Sequence, residues 1–237
     1  MDKKQIDELQ HRGDITKGLA AIMEKTKADI NPIADMDNIT KQIGTGKDNI
    51  KVIENYLTDK ESETAMSIIS KYKVREGVIH SYGINDLEEH KLSDEESLFT
   101  NIMRKKLLNT VISEYKMKFE LDRPFLYIVH PTGTYIDPHT DILDIDEPDY
   151  ENDTYESQIE KFPYLWSGHL SVLGYLNDDY EGGELYFPQH DYVIRPKKNM
   201  LILFPGNTHY VHGVSEVTSG TRYTISQWSL FSEFNKK

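Results

Sequence analysis

Two pairs of residues in this sequence have the types and spacing of metal ligands. His139 and Asp141 stand two apart in "YIDPHTD", and His209 and His212 stand three apart in "HYVH". In an extended segment, residues two apart project to the same face, so one imidazole and one carboxylate would converge on one point. His209 or His212 could supply a third ligand from the later segment. The spacing therefore predicts a metal site built from two distant parts of the chain.

Arg222 stands ten positions after His212, in a run that is predicted to form a strand. Two histidines and one carboxylate on one face leave open positions on a metal, as in non-haem Fe(II) oxygenases. An arginine reaching into an apolar interior is costly unless it meets an anion, and its planar fork suits a carboxylate. The set predicts a small dicarboxylate that chelates the metal and pairs with Arg222. The alternative is an exposed Arg222 paired with Glu216.

Two helices and a series of strands must position these residues. Thr58 with Glu61 forms a capping box that predicts a helix to about residue 72, and Ser93 with Glu96 predicts a longer one to about residue 119. Apolar residues recur on one face of the second helix: Leu98, Ile102, Leu108 and Ile112.

The predicted strands are β-branched and aromatic runs broken by Gly, Pro and Asn-Asp. A short strand, "NIKVIENYL", precedes the first helix, and the later runs are "RPFLYIVHPTG", "GHLSVLGYLND", "GELYFPQHD", "NMLILFPGN" and "TRYTISQWSLF". This order predicts an antiparallel sandwich or barrel with helices packed on one side.

Composition limits the classes of function. The 237 residues can form one large domain with an appendage, or two small domains, and the absence of cysteine excludes disulfides and thiolate metal sites. No run approaches the roughly 20 apolar residues of a membrane span, and the N-terminus lacks a signal-peptide pattern. We therefore expect a soluble, cytoplasmic protein. The net charge of −13 argues against nucleic acid as a partner. "GTGKDN" is predicted to end an N-terminal helical extension, residues 1–46.

From about residue 49 to 231 the chain resembles the Fe(II)- and 2-oxoglutarate-dependent dioxygenases of the prolyl 4-hydroxylase type. Four blocks in order carry the resemblance: "IKVIENYLTDKES", "GTYIDPHTD", "LGYLNDDYEGGELYFP" and "NMLILFPGNTHYVHGVSEVTSGTRYTISQW". Together they are far more specific than one His-x-Asp pair. The resemblance implies a mainly β domain with flanking helices (α+β) over residues 47–237, with a double-stranded β-helix (jelly-roll, cupin-like) core.

The resemblance also implies the site residues. It makes His139, Asp141 and His212 the iron ligands, and Arg222 the residue that binds the distal carboxylate of 2-oxoglutarate. His212 is preferred over His209 because the family's distal histidine precedes a Gly-Val type of pair and then, ten residues on, a basic residue. The implied cofactors are Fe(II), 2-oxoglutarate and O2, with ascorbate as a further candidate.

Three further positions need separate comment. Tyr175 matches a tyrosine that contacts the cosubstrate in related hydroxylases, although it could equally be a core aromatic. His130 replaces a tyrosine of the family; it could hydrogen-bond the cosubstrate, which would make binding sensitive to pH through its protonation, or equally have no role in binding. Asn199 stands where many relatives have glycine, and asparagine tolerates the left-handed backbone of such a turn.

An acidic segment follows the metal-binding block. Residues 142–160 carry eight acidic side chains and no lysine or arginine. Relatives have a mobile loop here that closes over a peptide, so we expect a lid that favours a neutral or basic peptide; a solvated loop without a substrate role is the alternative.

The implied reaction is hydroxylation of a peptidyl residue, with proline the leading candidate, and release of succinate and CO2. An oxygenase acting on a free amino acid, a small metabolite or an alkylated base would share every iron and cosubstrate residue. A third possibility is a non-catalytic jelly-roll module that binds a partner.

Overall fold

The computed structural model describes residues 44–71, 80–83, 92–121, 125–141 and 170–231. Nearly all of the predicted N-terminal extension and all of the acidic segment 142–160 lie outside these ranges, so the domain boundary and the lid stay predictions. Within the described ranges, no helix is long and apolar enough to cross a membrane.

Both predicted helices begin at their capping boxes. Helix α1 spans Asp59–Ser70 and helix α2 spans Asp94–Tyr115. The cap hydroxyls of Thr58 and Ser93 each accept a hydrogen bond from the backbone N–H three residues on, and the glutamate there accepts one from the cap backbone. Helix α2 ends earlier than predicted because Lys116 adopts a left-handed conformation with φ 58°.

The apolar face predicted for α2 is wrong in most of its residues. Leu98, Ile102 and Ile112 are 62%, 55% and 37% exposed. The buried residues are instead Thr100, Met103, Leu107, Val111 and Tyr115. Apolar residues occur around much of this helix, so the helical period could not select the buried side. The buried side also includes a polar residue, Thr100, whose hydroxyl forms a hydrogen bond with that of Tyr127.

The strands of the described chain form antiparallel pairs. In chain order they are β1 (Lys51–Ile53), β2 (His80–Gly83), β3 (Phe119–Leu121), β4 (Leu126–Pro131), β5 (Ile136–His139), β6 (Leu170–Tyr175), β7 (Glu181–Gly182), β8 (Leu185–Phe187), β9 (Tyr192–Ile194), β10 (Leu201–Pro205), β11 (His212–Val214), β12 (Val217–Ser219) and β13 (Thr221–Phe231). The larger sheet has the order β1–β10–β6–β13–β4–β2, with β3 also paired to β13. The smaller sheet has the order β5–β11–β8–β9, and β12 pairs with β7.

The two faces of the larger sheet have different coverings. On β10, Leu201 and Leu203 pack with residues of α1 and α2, whereas Ile202 and Phe204 pack with residues of the smaller sheet. Alternation along the strand thus separates a helix-covered layer from a core between the two sheets. This arrangement confirms the predicted jelly-roll core with flanking helices.

The turn before β10 confirms the expectation for Asn199. This residue has φ 67°, the left-handed conformation that glycine would adopt without strain. Its side chain also accepts a hydrogen bond from the Ser62 hydroxyl and donates one to the Asp59 carboxylate. The asparagine therefore forms the turn and ties it to the start of α1.

Candidate active site

The smaller sheet places two of the predicted ligands side by side. His139 ends β5 and His212 begins β11, and the two residues are direct partners in the antiparallel register. Asp141 lies two residues past His139, where its backbone N–H donates to the Gly206 carbonyl at 3.2 Å. The strand pairing therefore supplies both imidazoles, and the turn after β5 supplies the carboxylate.

The three side chains have the geometry of a metal-binding group. Asp141 Oδ1 lies 3.5 Å from His139 Nε2, and Oδ2 lies 3.6 Å from His212 Nε2. Among the described residues, these three form the His/Asp/Glu group whose ligand atoms all lie within 4.8 Å of one another. His209 is not part of it. It lies in the short 3-10 helix Thr208–Tyr210, where its backbone carbonyl accepts a hydrogen bond from His190.

Hydrogen bonds orient all three side chains. The Nδ1–H of His139 donates to the Asp137 carbonyl at 2.9 Å, and that of His212 donates to the Tyr210 carbonyl at 3.1 Å. In its neutral form, each imidazole held in this way has its proton on Nδ1 and presents Nε2, the nitrogen that a metal needs. The third contact is a hydrogen bond from the Ser171 hydroxyl on β6 to Asp141 Oδ2. Sequence reasoning missed Ser171, because one serine in a buried strand carries no signal.

The protonation states suit a cation. Burial acts to raise the pKa of Asp141, but His212, His139 and the Ser171 hydrogen bond outweigh it and hold that pKa well below its usual range. Burial lowers the pKa of His212 to about 4. Burial acts to lower the pKa of His139, but the hydrogen bond with Asp141 and the negative charge of that carboxylate outweigh it, so the pKa of His139 is raised. At neutral pH the centre thus combines a carboxylate with a neutral His212.

Arg222 is buried without a countercharge. It is 2% exposed on β13, whereas Glu216 is exposed, so the alternative of a surface ion pair is wrong. Its Nη1 donates to His130 Nδ1 and its Nη2 donates to the Tyr175 hydroxyl at 3.1 Å. Both partners are neutral, and no carboxylate among the described residues forms an ion pair with the guanidinium. A buried cation in this state favours binding of an anion.

The neighbours of Arg222 add unused hydrogen-bond donors. His130 Nδ1 accepts from the guanidinium, so the proton of the neutral ring is on Nε2. Among the described residues, that Nε2 and the Nε of Arg222 are both buried without a hydrogen-bond partner. Burial, together with the Arg222 charge, holds the pKa of His130 well below its ordinary value. The pH sensitivity expected from His130 protonation therefore lies below the neutral range.

The arginine pocket and the metal-binding group border one apolar cluster. Tyr175 belongs to the buried cluster between the sheets, together with Phe187 and Phe204. The ring of His212 lies 4.5 Å from that of Phe204 and 5.8 Å from that of Phe187. The residues present therefore fit a divalent metal that keeps open coordination positions, and the buried Arg222 suits a carboxylate of a ligand that chelates this metal.

Replacing Ser171 by alanine should weaken divalent-metal affinity about 10- to 100-fold, the range typical for hydrogen-bond partners of ligands. The variant removes the hydroxyl that orients Asp141 and leaves all three candidate ligands in place. Competition with a metal chelator measures this effect. Ser215→Ala is a matched control, because the Ser215 hydroxyl bonds the buried carboxylate of Glu184 instead. Equal losses in both variants would show that the effect is a general one of buried serines.

Loss of stability in mild acid is the second expected result at this site. His130 is neutral when folded, but takes up a proton near pH 6.5 when unfolded, so the free energy of unfolding should fall as pH drops below about 6.5. His130→Asn should reduce that fall by up to about 1.4 kcal/mol per pH unit. Urea unfolding of the metal-free protein at several pH values from 7 to 5 measures it; identical slopes would contradict the result.

Comparison with known proteins agrees with this geometry. The family model described as the 2OG-Fe(II) oxygenase superfamily matches residues 125–230. Prolyl 3-hydroxylase 3 of Mus musculus is 27% identical over 154 residues, which cover 63% of this chain and 18% of that protein. The chain therefore spans under a fifth of the length of that curated relative.

Solved structures share the fold. The viral collagen prolyl hydroxylase of Paramecium Bursaria Chlorella virus-1, in its 2OG complex, has a TM-score of 0.53 at 19% identity, covering 77% of this chain and 95% of that one. A prolyl hydroxylase of Trichoplax adhaerens, in complex with a hypoxia inducible factor peptide fragment, has a TM-score of 0.52 at 14% identity, covering 93% and 96%. The part of the chain that carries His139, His212 and Arg222 is thus similar to the 2OG-Fe(II) oxygenase superfamily, and the solved structures show that the fold is shared.

Proposed function

We propose that this protein is an Fe(II)- and 2-oxoglutarate-dependent dioxygenase that hydroxylates proline in a peptide or protein. The observation that carries the proposal is the pairing of a His-Asp-His group with a buried arginine that has no carboxylate partner among the described residues. The reaction balances as follows: O2 supplies one oxygen atom to the succinate formed with CO2 from 2-oxoglutarate, and the other to the new hydroxyl group.

Each side chain has a separate role in this proposal. The iron is held by His139, Asp141 and His212. These three ligands occupy one face of the metal and leave the coordination positions on the opposite face for the cosubstrate and O2. Arg222 binds the distal carboxylate of 2-oxoglutarate, with Tyr175 and His130 beside it. Iron bound with 2-oxoglutarate and O2 supplies the oxidation of an unactivated C–H bond; the chain binds and orients the reactants and excludes water.

Peptidyl proline is the substrate that the relatives favour. The curated relatives are prolyl 3-hydroxylases, and one of the solved structures with this fold holds a peptide fragment. The net charge of −13, with eight acidic side chains in residues 142–160, favours a neutral or basic peptide over an acidic one. We extend the prolyl specificity of the relatives to this chain on those grounds.

The test is incubation with Fe(II), 2-oxoglutarate and O2, with and without ascorbate, across a library of proline-containing peptides of differing charge. Mass spectrometry should find one added oxygen atom on proline, with stoichiometric succinate. Amino-acid analysis of the product separates 3-hydroxyproline from 4-hydroxyproline.

The matched controls are His212→Ala, which should abolish both products, and peptides with alanine in place of proline. If the protein turns over free amino acids or small metabolites and gives no peptide product, the proposed peptide substrate is wrong. An absence of 2-oxoglutarate binding by the iron-loaded protein would overturn the oxygenase itself and favour a non-catalytic binding module.

A further inference from the structure

Tyr180 carries a buried hydroxyl that has no well-formed hydrogen bond to any of the described residues. The residue lies in the connection between β6 and β7 and is 5% exposed; the Arg222 side chain lies close to its oxygen, but no group of the described residues meets that oxygen in good hydrogen-bond geometry. Buried tyrosine hydroxyls usually have a partner, because leaving one without a partner costs stability. An unpaired hydroxyl at this position therefore needs an explanation in the function of the site.

The Tyr180 ring and Arg222 meet at one glycine. A β-carbon added to Gly183 would lie 3.0 Å from Cδ of Arg222 and 3.1 Å from Cε2 of Tyr180, the ring atom next to the carbon that bears the hydroxyl. Gly183 also has φ 67°, which glycine adopts readily. The missing side chain thus lets the arginine stem and the hydroxyl end of Tyr180 pack against the same backbone atom.

The hydroxyl is a donor at neutral pH. Burial raises the pKa of Tyr180, and this effect outweighs the nearby positive charge of Arg222, which acts to lower it. The same surroundings contain two more buried donors without acceptors, Nε of Arg222 and Nε2 of His130. Three unpaired donors and a buried cation match the acceptor-only chemistry of a carboxylate.

We propose that the Tyr180 hydroxyl is a further hydrogen-bond donor to the distal carboxylate of the cosubstrate that Arg222 holds. This inference rests on the proposed function, in which that cosubstrate is 2-oxoglutarate. Tyr180 would act only on the far end of the molecule, since the metal-chelating end is held at His139, Asp141 and His212. Its contribution is therefore specific to ligands that have a distal carboxylate.

The experiment compares wild-type protein with Tyr180→Phe, both loaded with Fe(II) under anaerobic conditions. Isothermal titration measures the affinity for 2-oxoglutarate and, separately, for oxalate, which chelates metals but has no distal carboxylate. Loss of one charge-assisted hydrogen bond should weaken 2-oxoglutarate binding about tenfold and leave oxalate binding unchanged. Because the hydroxyl has no well-formed hydrogen bond within the described part of the chain, the melting temperature without ligand should not fall.

Tyr127→Phe is the matched control, because it removes another buried tyrosine hydroxyl, one that bonds Thr100 in the helix-covered layer. It should lower the melting temperature and leave 2-oxoglutarate affinity unchanged. Unchanged 2-oxoglutarate affinity in Tyr180→Phe, or an equal loss for oxalate, would overturn the inference. So would a lowered melting temperature without a change in affinity, since that result assigns Tyr180 a structural role.

The failure of this inference can be told apart from failure of the proposed function. If wild type binds 2-oxoglutarate and Arg222→Gln does not, while Tyr180→Phe behaves as wild type, only the role of Tyr180 is wrong. If the iron-loaded wild type does not bind 2-oxoglutarate, the proposed function is wrong as well.

Discussion

His212→Ala should abolish stable Fe(II) binding, whereas His209→Ala should leave it intact. His212 Nε2 lies 3.6 Å from the Asp141 carboxylate and its Nδ1–H is fixed by the Tyr210 carbonyl, so no other side chain of the described chain can take its place in the group. We expect a loss of more than about 100-fold, beyond the 10- to 100-fold range typical of outer hydrogen-bond partners.

The measurement is an anaerobic Fe(II) titration in the presence of 2-oxoglutarate, which follows the weak visible charge-transfer band of the chelated complex. Wild type and His209→Ala should give the band, and His212→Ala should not. Melting curves of the three metal-free proteins control for unfolding, because the His212 ring packs against Phe204 and Phe187. A band that persists in His212→Ala and disappears in His209→Ala would reverse the ligand assignment.

Arg222→Gln should weaken 2-oxoglutarate binding about 30- to 150-fold, which corresponds to about 2–3 kcal/mol for the loss of a charged hydrogen-bonding partner. The same change should not lower the stability of the ligand-free protein. The wild-type arginine is a buried cation with two neutral partners, so a neutral side chain of similar reach avoids the cost of burying its charge. The affinity for 2-oxoglutarate should therefore fall while the stability of the ligand-free protein stays the same or rises, as expected where a site keeps a destabilising group for function.

Isothermal titration of the iron-loaded protein measures the affinity, and thermal unfolding without ligand measures the stability. Arg195→Gln is the control: Arg195 is partly exposed and pairs with Glu181 at 3.0 Å, so its loss should affect neither quantity by much. If Arg222→Gln still binds 2-oxoglutarate as wild type does, Arg222 is not the residue that binds its distal carboxylate. A large drop in ligand-free stability would show that Arg222 serves the fold instead.

Local sequence patterns determined the elements of this fold. The capping boxes at Thr58 and Ser93 predicted both helix starts, because each box needs only residues three apart in the chain. The long β-branched runs predicted β4, β6, β8, β10 and β13 for a similar reason. Short strands such as β11, with three residues, escaped prediction, since they form through pairing with distant partners.

The sequence by itself, through local spacing and the resemblance, determined which residue types carry the chemistry: His139 with Asp141, a histidine of the later pair, and Arg222. Only the tertiary structure decided how they are used. The register of β5 with β11 sets His212 opposite His139, and the pairing of β13 with β4 and β6 buries Arg222 against two neutral hydrogen-bond partners, with no ion pair among the described residues. Ser171 and Tyr180 gain their roles in the same way. Which side chains meet, and which buried charge has no partner, depends on contacts between segments far apart in the chain, and a short sequence pattern does not encode them.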